Sequence, residues 1–113
     1  MASSPLTPIV YGIDLTTSFV DIYEVPTDKS GIGIDAAVFN NHTASSARYT
    51  IRLIQAGGSS VLNEIITDKQ IRPFDSDLAQ ALIGQALVTG GKIQAKASSN
   101  NAISVQITAT VLF

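Results

Sequence analysis

Val25-Pro26-Thr27-Asp28-Lys29-Ser30-Gly31-Ile32-Gly33-Ile34-Asp35-Ala36-Ala37-Val38-Phe39-Asn40-Asn41 is the stretch that decides the fold. Pro26 and the turn from Thr27 to Ser30 stop one segment. Ile32, Ile34, Ala36 and Val38 then place an apolar residue at every second position, and Asn40-Asn41 reads as the next turn. A period of two belongs to a strand, because successive side chains leave opposite faces of the pleated ribbon. The stretch therefore predicts a buried strand with both ends marked. Gly31-x-Gly33 is half of a nucleotide-binding fingerprint, but no helix follows to supply an amide cradle. Close approach of another backbone explains these glycines better.

The same alternation extends on both sides. Upstream, Ile9, Tyr11, Ile13 and Leu15 alternate with Val10, Gly12 and Asp14, and a second strand runs from Phe19 to Val25. Downstream, Asn40 to Ser46 is a polar loop. In the segment Arg48 to Gln55, Tyr49, Ile51 and Leu53 point one way and Arg48, Thr50 and Arg52 the other. Ala56 to Ser60 is a loop tip, and Val61 to Ile66 returns as a short strand. Thr67 to Asp75 contains Pro73 and predicts irregular structure or an edge strand, since proline cannot donate to a ladder. Residues 77 to 87 have two readings. Leu78, Ala81, Leu82 and Gln85 have helical spacing, while Leu78 to Leu82 also fits a strand broken at Gly84, with Leu87-Val88 beyond it; the surrounding strands favour the second. Lys92 to Ser98 and Ile103 to Phe113, separated by Ser99-Asn100-Asn101, predict a C-terminal hairpin.

Turns recurring every eight to twelve residues between strands indicate an all-β antiparallel sandwich, jelly-roll-like, of about seven or eight strands. At 113 residues the chain is one domain. Residues 1 to 8, with two prolines and two serines, predict an extended N-terminal arm, and residues 9 to 113 the sandwich itself.

Composition bounds the function. Only 14% of residues are charged against 45% hydrophobic, so part of the outer surface must be neutral, and a poorly charged surface is more often covered than bare. The net charge of −2 and the seven scattered basic residues argue against nucleic acid, which needs clustered Lys and Arg. There is no cysteine, which removes disulfides and thiolate chemistry. No stretch is apolar enough for a membrane-spanning helix, and the start lacks the pattern of a signal peptide, so a soluble protein made in the cytosol is expected.

Reactive chemistry is scarce. His42 is the one histidine and lies in a loop of Asn, Thr and Ser, where a solvated role is the simpler reading. Ser45 and Ser46 are near it in sequence, but nothing marks an orienting acid or an oxyanion site. Asp75 and Asp77, with Asp68, could share a face, yet a calcium site needs six to eight oxygens and usually a tight glycine loop. Tyr11, Tyr23 and Tyr49 would form a sugar-stacking face only if they met on one exposed sheet; each lies in an apolar alternation, which favours core or interface. No catalytic residue, cofactor or metal is predicted. The candidate interaction residues are Pro5 and Pro8 in the arm, Arg48 and Arg52 as a basic outward stripe suited to an acidic partner, and Leu112 and Phe113 at the apolar end of the last strand.

The segments Tyr23-Glu24-Val25-Pro26, Lys29, Ile32 to Asn40, Tyr49 to Gln55 with Gly57-Gly58, Gly90-Gly91, Ile93-Gln94-Ala95 and Ile103 to Thr108 follow one another in an order that resembles a family of small β-sandwich virion proteins of tailed bacteriophages. The resemblance covers about residues 23 to 110. One departure is Gly91-Lys92, where the pattern often has Gly-Asp. The resemblance implies a structural virion protein without catalytic residues, a capsid decoration (cement) protein or a neck or tail component, and the low-charge surface, the extended arm and the apolar C-terminus favour decoration. Such a protein forms a homo-oligomer, with a trimer favoured, binds and stabilises the shell of major capsid protein, and is assembled into the virion in the host cytoplasm. A neck or tail adaptor or a fibre-anchoring piece is the alternative, and a carbohydrate- or receptor-binding module a second one.

Overall fold

In the computed structural model the described residues are 7 to 57 and 64 to 112, and they form two antiparallel sheets packed face to face. The strands are β1 (Thr7–Asp14), β2 (Val20–Glu24), β3 (Gly31–Asn41), β4 (Ala47–Ile54), β5 (Glu64–Ile71), β6 (Ser76–Asp77), β7 (Ala86–Val88), β8 (Lys92–Ala97) and β9 (Ile103–Leu112), with one 3₁₀ turn at Gln80–Leu82. Seven of these run for five or more residues, and β6 and β7 are short. The first sheet has the order β1-β9-β3-β6, with β7 also on β3; the second has the order β2-β8-β4-β5. Chain neighbours alternate between sheets except at β4–β5 and β6–β7, which is the jelly-roll order.

The predicted C-terminal hairpin is not formed. β8 lies in the second sheet and β9 in the first, so the reversal at Ser98 to Ala102 crosses the sandwich. A cross-connection needs a partner to hold it, and the β1–β2 link provides one. Buried Leu15 donates its amide to the Ile103 carbonyl at 2.8 Å and accepts from the Asn101 amide at 3.0 Å, while the Ala97 amide donates to Thr16 at 2.7 Å. Asn101 takes a left-handed conformation, φ 61°, which asparagine tolerates. The Asn100 side chain accepts from the Thr17 amide. The facing of each strand is as the alternation predicts: Ile93, Ala95 and Ala97 are buried, and so are Ile103, Val105, Ile107, Ala109 and Val111.

Within β3 the alternation breaks. A bulge between Ile34 and Ala36 in the register with β9 inserts one residue, and a one-residue slip moves every later side chain to the other face. Ile32 and Ile34 are buried before it, Ala37, Phe39 and Asn41 after it, and Ala36 and Val38 point outward instead of inward. Asn40 and Asn41 end the strand and are not the predicted turn. Phe39 lands against Tyr49 of the opposite sheet, the rings stacked with centroids 4.0 Å apart. Asn41 is buried, and its side-chain amide donates to the carbonyls of Ser45 (2.8 Å), Ile71 (3.0 Å) and Arg72 (3.2 Å), while its oxygen accepts from the Thr43 amide and hydroxyl. Two chain reversals that cross between the sheets are tied by one side chain.

Residues 77 to 87 combine both readings. The expected strand at Leu78 to Leu82 is replaced by the 3₁₀ turn, entered through Ala79 in a left-handed conformation (φ 48°). Ala79, Leu82 and Leu87 are the members of this segment that reach the core, and the three-residue spacing of the first two requires a turn. Gly84 (φ 88°) breaks the segment as expected, and β7 follows. Thr67 to Ile71 completes β5 as an edge strand, and Pro73 sits in the turn after it. Of the arm predicted at residues 1 to 8, Thr7 and Pro8 belong to β1, paired with Ala109 and Thr108, and the rest lies outside the described residues, as do residues 61 to 63 of the expected short strand.

The two glycines of the opening stretch have different reasons. A Cβ on Gly31 would stand 2.6 Å from the Leu87 carbonyl oxygen, whereas one on Gly33 would meet nothing within 4 Å. Gly31→Ala is therefore expected to lower stability by about 2 kcal/mol through forced displacement of β7, and Gly33→Ala to leave it unchanged or slightly raised. Urea unfolding of the two variants beside the wild type checks this; equal midpoints would refute the close-approach account.

Candidate interaction surfaces

Among the described residues the buried polar side chains are engaged within the fold. Tyr49 is buried on β4 because it packs on Phe39, and its hydroxyl donates a short hydrogen bond to the Asp77 carboxylate. Lys69 of the neighbouring strand β5 closes the group, its Nζ 2.9 Å from the other Asp77 oxygen. Burial pushes the Tyr49 hydroxyl well above the usual tyrosine range, and the hydrogen bond and negative charge of Asp77 add to this. Burial also works to raise Asp77, but the Tyr49 hydrogen bond and the Lys69 ammonium outweigh it and hold the carboxyl below its usual range. Asp75 is held low by the Ser76 amide first and by Arg72, 3.1 Å away, second. A cleft of about 370 Å³ beside Asp77 is lined by Ile66, Lys69 and residues 76 to 81. Its two charges neutralise each other.

The other suspected chemical residues do not converge. His42 Nε2 is 3.3 Å from Asp14 Oδ1 in an exposed pair, and the Ser45 carbonyl accepts from Asn41 and Thr43. Asp68 takes a left-handed conformation on edge strand β5, where its amide donates to the Thr50 hydroxyl, which is why outward Thr50 is buried. Among the described residues no three of His, Asp and Glu are grouped to hold a metal ion, and no buried side-chain nitrogen or oxygen lacks a partner. Tyr11 is 73% exposed on the first sheet, while Tyr23 and Tyr49 belong to the second, so no tyrosine face is formed.

What the fold does create is a contrast between its two outer faces. The strands of the first sheet contain Asp14, Asp35 and Asp77 and neither lysine nor arginine; those of the second contain Asp21, Glu24, Glu64 and Asp68 with Arg48, Arg52, Lys69, Lys92 and Lys96. Register across the first sheet lines up outward rows Pro8/Thr108/Ala36, Tyr11/Gln106/Val38 and Asp14/Ser104/Asn40. Asp35 is held by the Thr110 hydroxyl at 2.7 Å. This outer face is thus small-residued, uncharged through its first two rows, and capped by exposed Tyr11.

The predicted interaction residues divide between these faces. Pro8 and Leu112 lie on the outer side of the first sheet, Pro8 exposed and Leu112 half-buried at the end of β9. Arg48 and Arg52 point outward from β4 on the second sheet, with Arg48 3.9 Å from Asp68 and Arg52 stacked on Phe19, its guanidinium carbon 3.6 Å from the ring centroid. Pro5 and Phe113 lie outside the described residues. Asn41 and Phe19 were not singled out from the sequence. The signal for Asn41 becomes readable only once the bulge places it on the inward face, and Phe19 looked like an ordinary strand aromatic.

No protein-family model matches the chain, and no curated protein matches it. Among solved structures it is similar to the structure of infectious bursal disease virus Gx strain, with a TM-score of 0.55 and 13% identity over 96% of this chain and 33% of that one. A crystal structure of infectious bursal disease virus VP2 subviral particle aligns at 14% identity and a TM-score of 0.47, over 95% of this chain and 31% of that one. The chain spans about a third of the length of these proteins. At such identity the likeness is one of fold.

The Tyr49–Asp77–Lys69 group makes stability depend on pH. Because the folded Asp77 carboxyl is depressed, its contribution is full above the unfolded value near pH 4 and is lost as pH falls through the lower folded value. Asp77→Asn is expected to be about 2 kcal/mol less stable than wild type at pH 7, with the gap narrowing toward pH 2. Urea midpoints across this range check it; a constant gap would show that the ionised carboxylate contributes nothing.

Proposed function

We propose that this chain is a structural protein of a virus particle, acting by covering surface and not by catalysis. The observation that carries this is the neutral pair of rows on the outer face of the first sheet, where β1, β9 and β3 present Pro8, Thr108, Ala36, Tyr11, Gln106 and Val38 and no strand of the sheet carries a lysine or arginine. A face of this kind, on strands already paired, presents no ionised group in its first two rows, so covering it costs little desolvation. It suits burial against another subunit, where small side chains allow close packing and Tyr11 supplies a broad anchor. The jelly-roll order, which is widespread among viral shell proteins, and the fold likeness to a virus structure support the same setting.

Within that setting the reading taken is capsid decoration: a homo-oligomer, with three copies favoured, seated on the shell of major capsid protein and located in the virion. The outer face of the first sheet is the contact between copies. The charged outer face of the second sheet and the loops are then left for the shell. The sequence resemblance to small virion proteins of tailed bacteriophages supports a virion setting, and residues Pro8 and Leu112 fall on the proposed contact between copies.

Sedimentation velocity over a hundredfold concentration range tests this. Wild type is expected to sediment as an oligomer and to co-sediment with shells that lack it. Gln106→Lys, which sets a charge at the centre of the neutral face where the fold tolerates it, is expected to be monomeric. A wild-type protein that stays monomeric and leaves such shells bare would overturn the proposal.

A further inference from the structure

We propose that Arg52, held over Phe19 with Lys96 beside it, is a carboxylate-binding site that takes an Asp- or Glu-rich segment of a partner protein. The proposal concerns the second sheet and stands independently of how the first sheet is covered. Arg52 and Lys96 lie on neighbouring strands β4 and β8; Arg52 pairs with Gln94 and Thr50 with Lys96, so the two cations are diagonal neighbours on the outward side. Both gather at one ring. The Arg52 guanidinium carbon is 3.6 Å and the Lys96 ammonium 4.8 Å from the Phe19 centroid.

The Arg52 side chain is fixed in place at two points. Its Nε donates to Gln94 Oε1 at 2.8 Å, and the Gln94 amide donates in turn to Asp21, which pairs with Lys92 at 3.5 Å. Stacking on Phe19 holds the plane of the guanidinium. Held in this way, its two terminal nitrogens keep the fork that matches a carboxylate, and neither they nor Lys96 pair with a carboxylate among the described residues. Two cations fixed at one ring repel each other, and an incoming anion relieves this. Arg48, by contrast, already faces Asp68.

The neighbours decide which anion fits. Asp21 and Asp68 lie on the same sheet as the cations, so the site favours an anion that offers single carboxylates on flexible side chains over a backbone that carries its charge on the chain itself.

Fluorescence anisotropy with a labelled hexaglutamate peptide in low-salt buffer tests the site, with single-stranded oligothymidine as the competing probe. Saturable peptide binding is expected to weaken at least tenfold in Arg52→Gln and in Phe19→Ala, and by less than threefold in Arg48→Gln. Arg52→Lys keeps the charge but not the fork, and is expected to bind nearly as poorly as Arg52→Gln. Unchanged thermal unfolding of the variants establishes that the fold is intact. Absence of saturable binding, full activity of Arg52→Lys, or tighter binding of the oligonucleotide than of the peptide would each overturn the proposal.

Discussion

The bulge between Ile34 and Ala36 is the constraint on which the rest of the structure depends. A strand of eleven residues with a strict period of two would direct Ile32, Ile34, Ala36 and Val38 into the core and leave Phe39 and Asn41 in water. One inserted residue reverses this for the second half of β3. Phe39 then stacks on Tyr49 and joins the two sheets, Tyr49 is placed to bond Asp77, and Asn41 is placed to bind three carbonyls from two chain reversals. The same reversal delivers Ala36 and Val38 to the outside, where they complete the neutral rows of the first sheet. Core, corner and outer face follow from one local irregularity.

A second consequence is that polar chemistry inside the fold is used up. The buried tyrosine and its carboxylate are answered by Lys69, Asn41 meets the carbonyls and donors around it, and outward Thr50 accepts from the Asp68 amide. Such closed groups specify one arrangement of strands, since an unpartnered polar atom in that position would cost about as much as several ordinary contacts gain. The two outer surfaces differ: one sheet presents mostly small neutral side chains, the other interleaved charges organised around Phe19.

Sequence periodicity was enough for the sandwich class and for the inward faces of β4, β8 and β9, where alternation is uninterrupted and the inward positions carry Ile, Val, Ala, Leu or Tyr; in β1 it misled, since Val10 is buried while Tyr11 and Ile13, expected on the apolar face, are exposed. It was not enough for the pairing. Ser98 to Ala102 could close a hairpin as readily as cross between sheets, and what decides is Leu15, more than eighty residues earlier, which bonds both Asn101 and Ile103. The bulge was hidden for a related reason: Ile34-Asp35-Ala36-Ala37 offers two adjacent alanines, either of which suits a core position. At the surface, Arg52 was legible as outward from its place between Ile51 and Leu53. Its stacking on Phe19 was not, since that contact joins residues from β4 and the loop before β2.

The central claim is that the outer face of the first sheet is built to be covered. Carbene footprinting of the protein, free at low concentration and again in its assembled state, addresses this at the level of single side chains. Tyr11, Val38 and Leu112 are predicted to lose label on assembly while Phe74, exposed on the turn after β5, keeps it. Equal labelling of Tyr11 in both states, with protection confined to other parts of the molecule, would contradict the account.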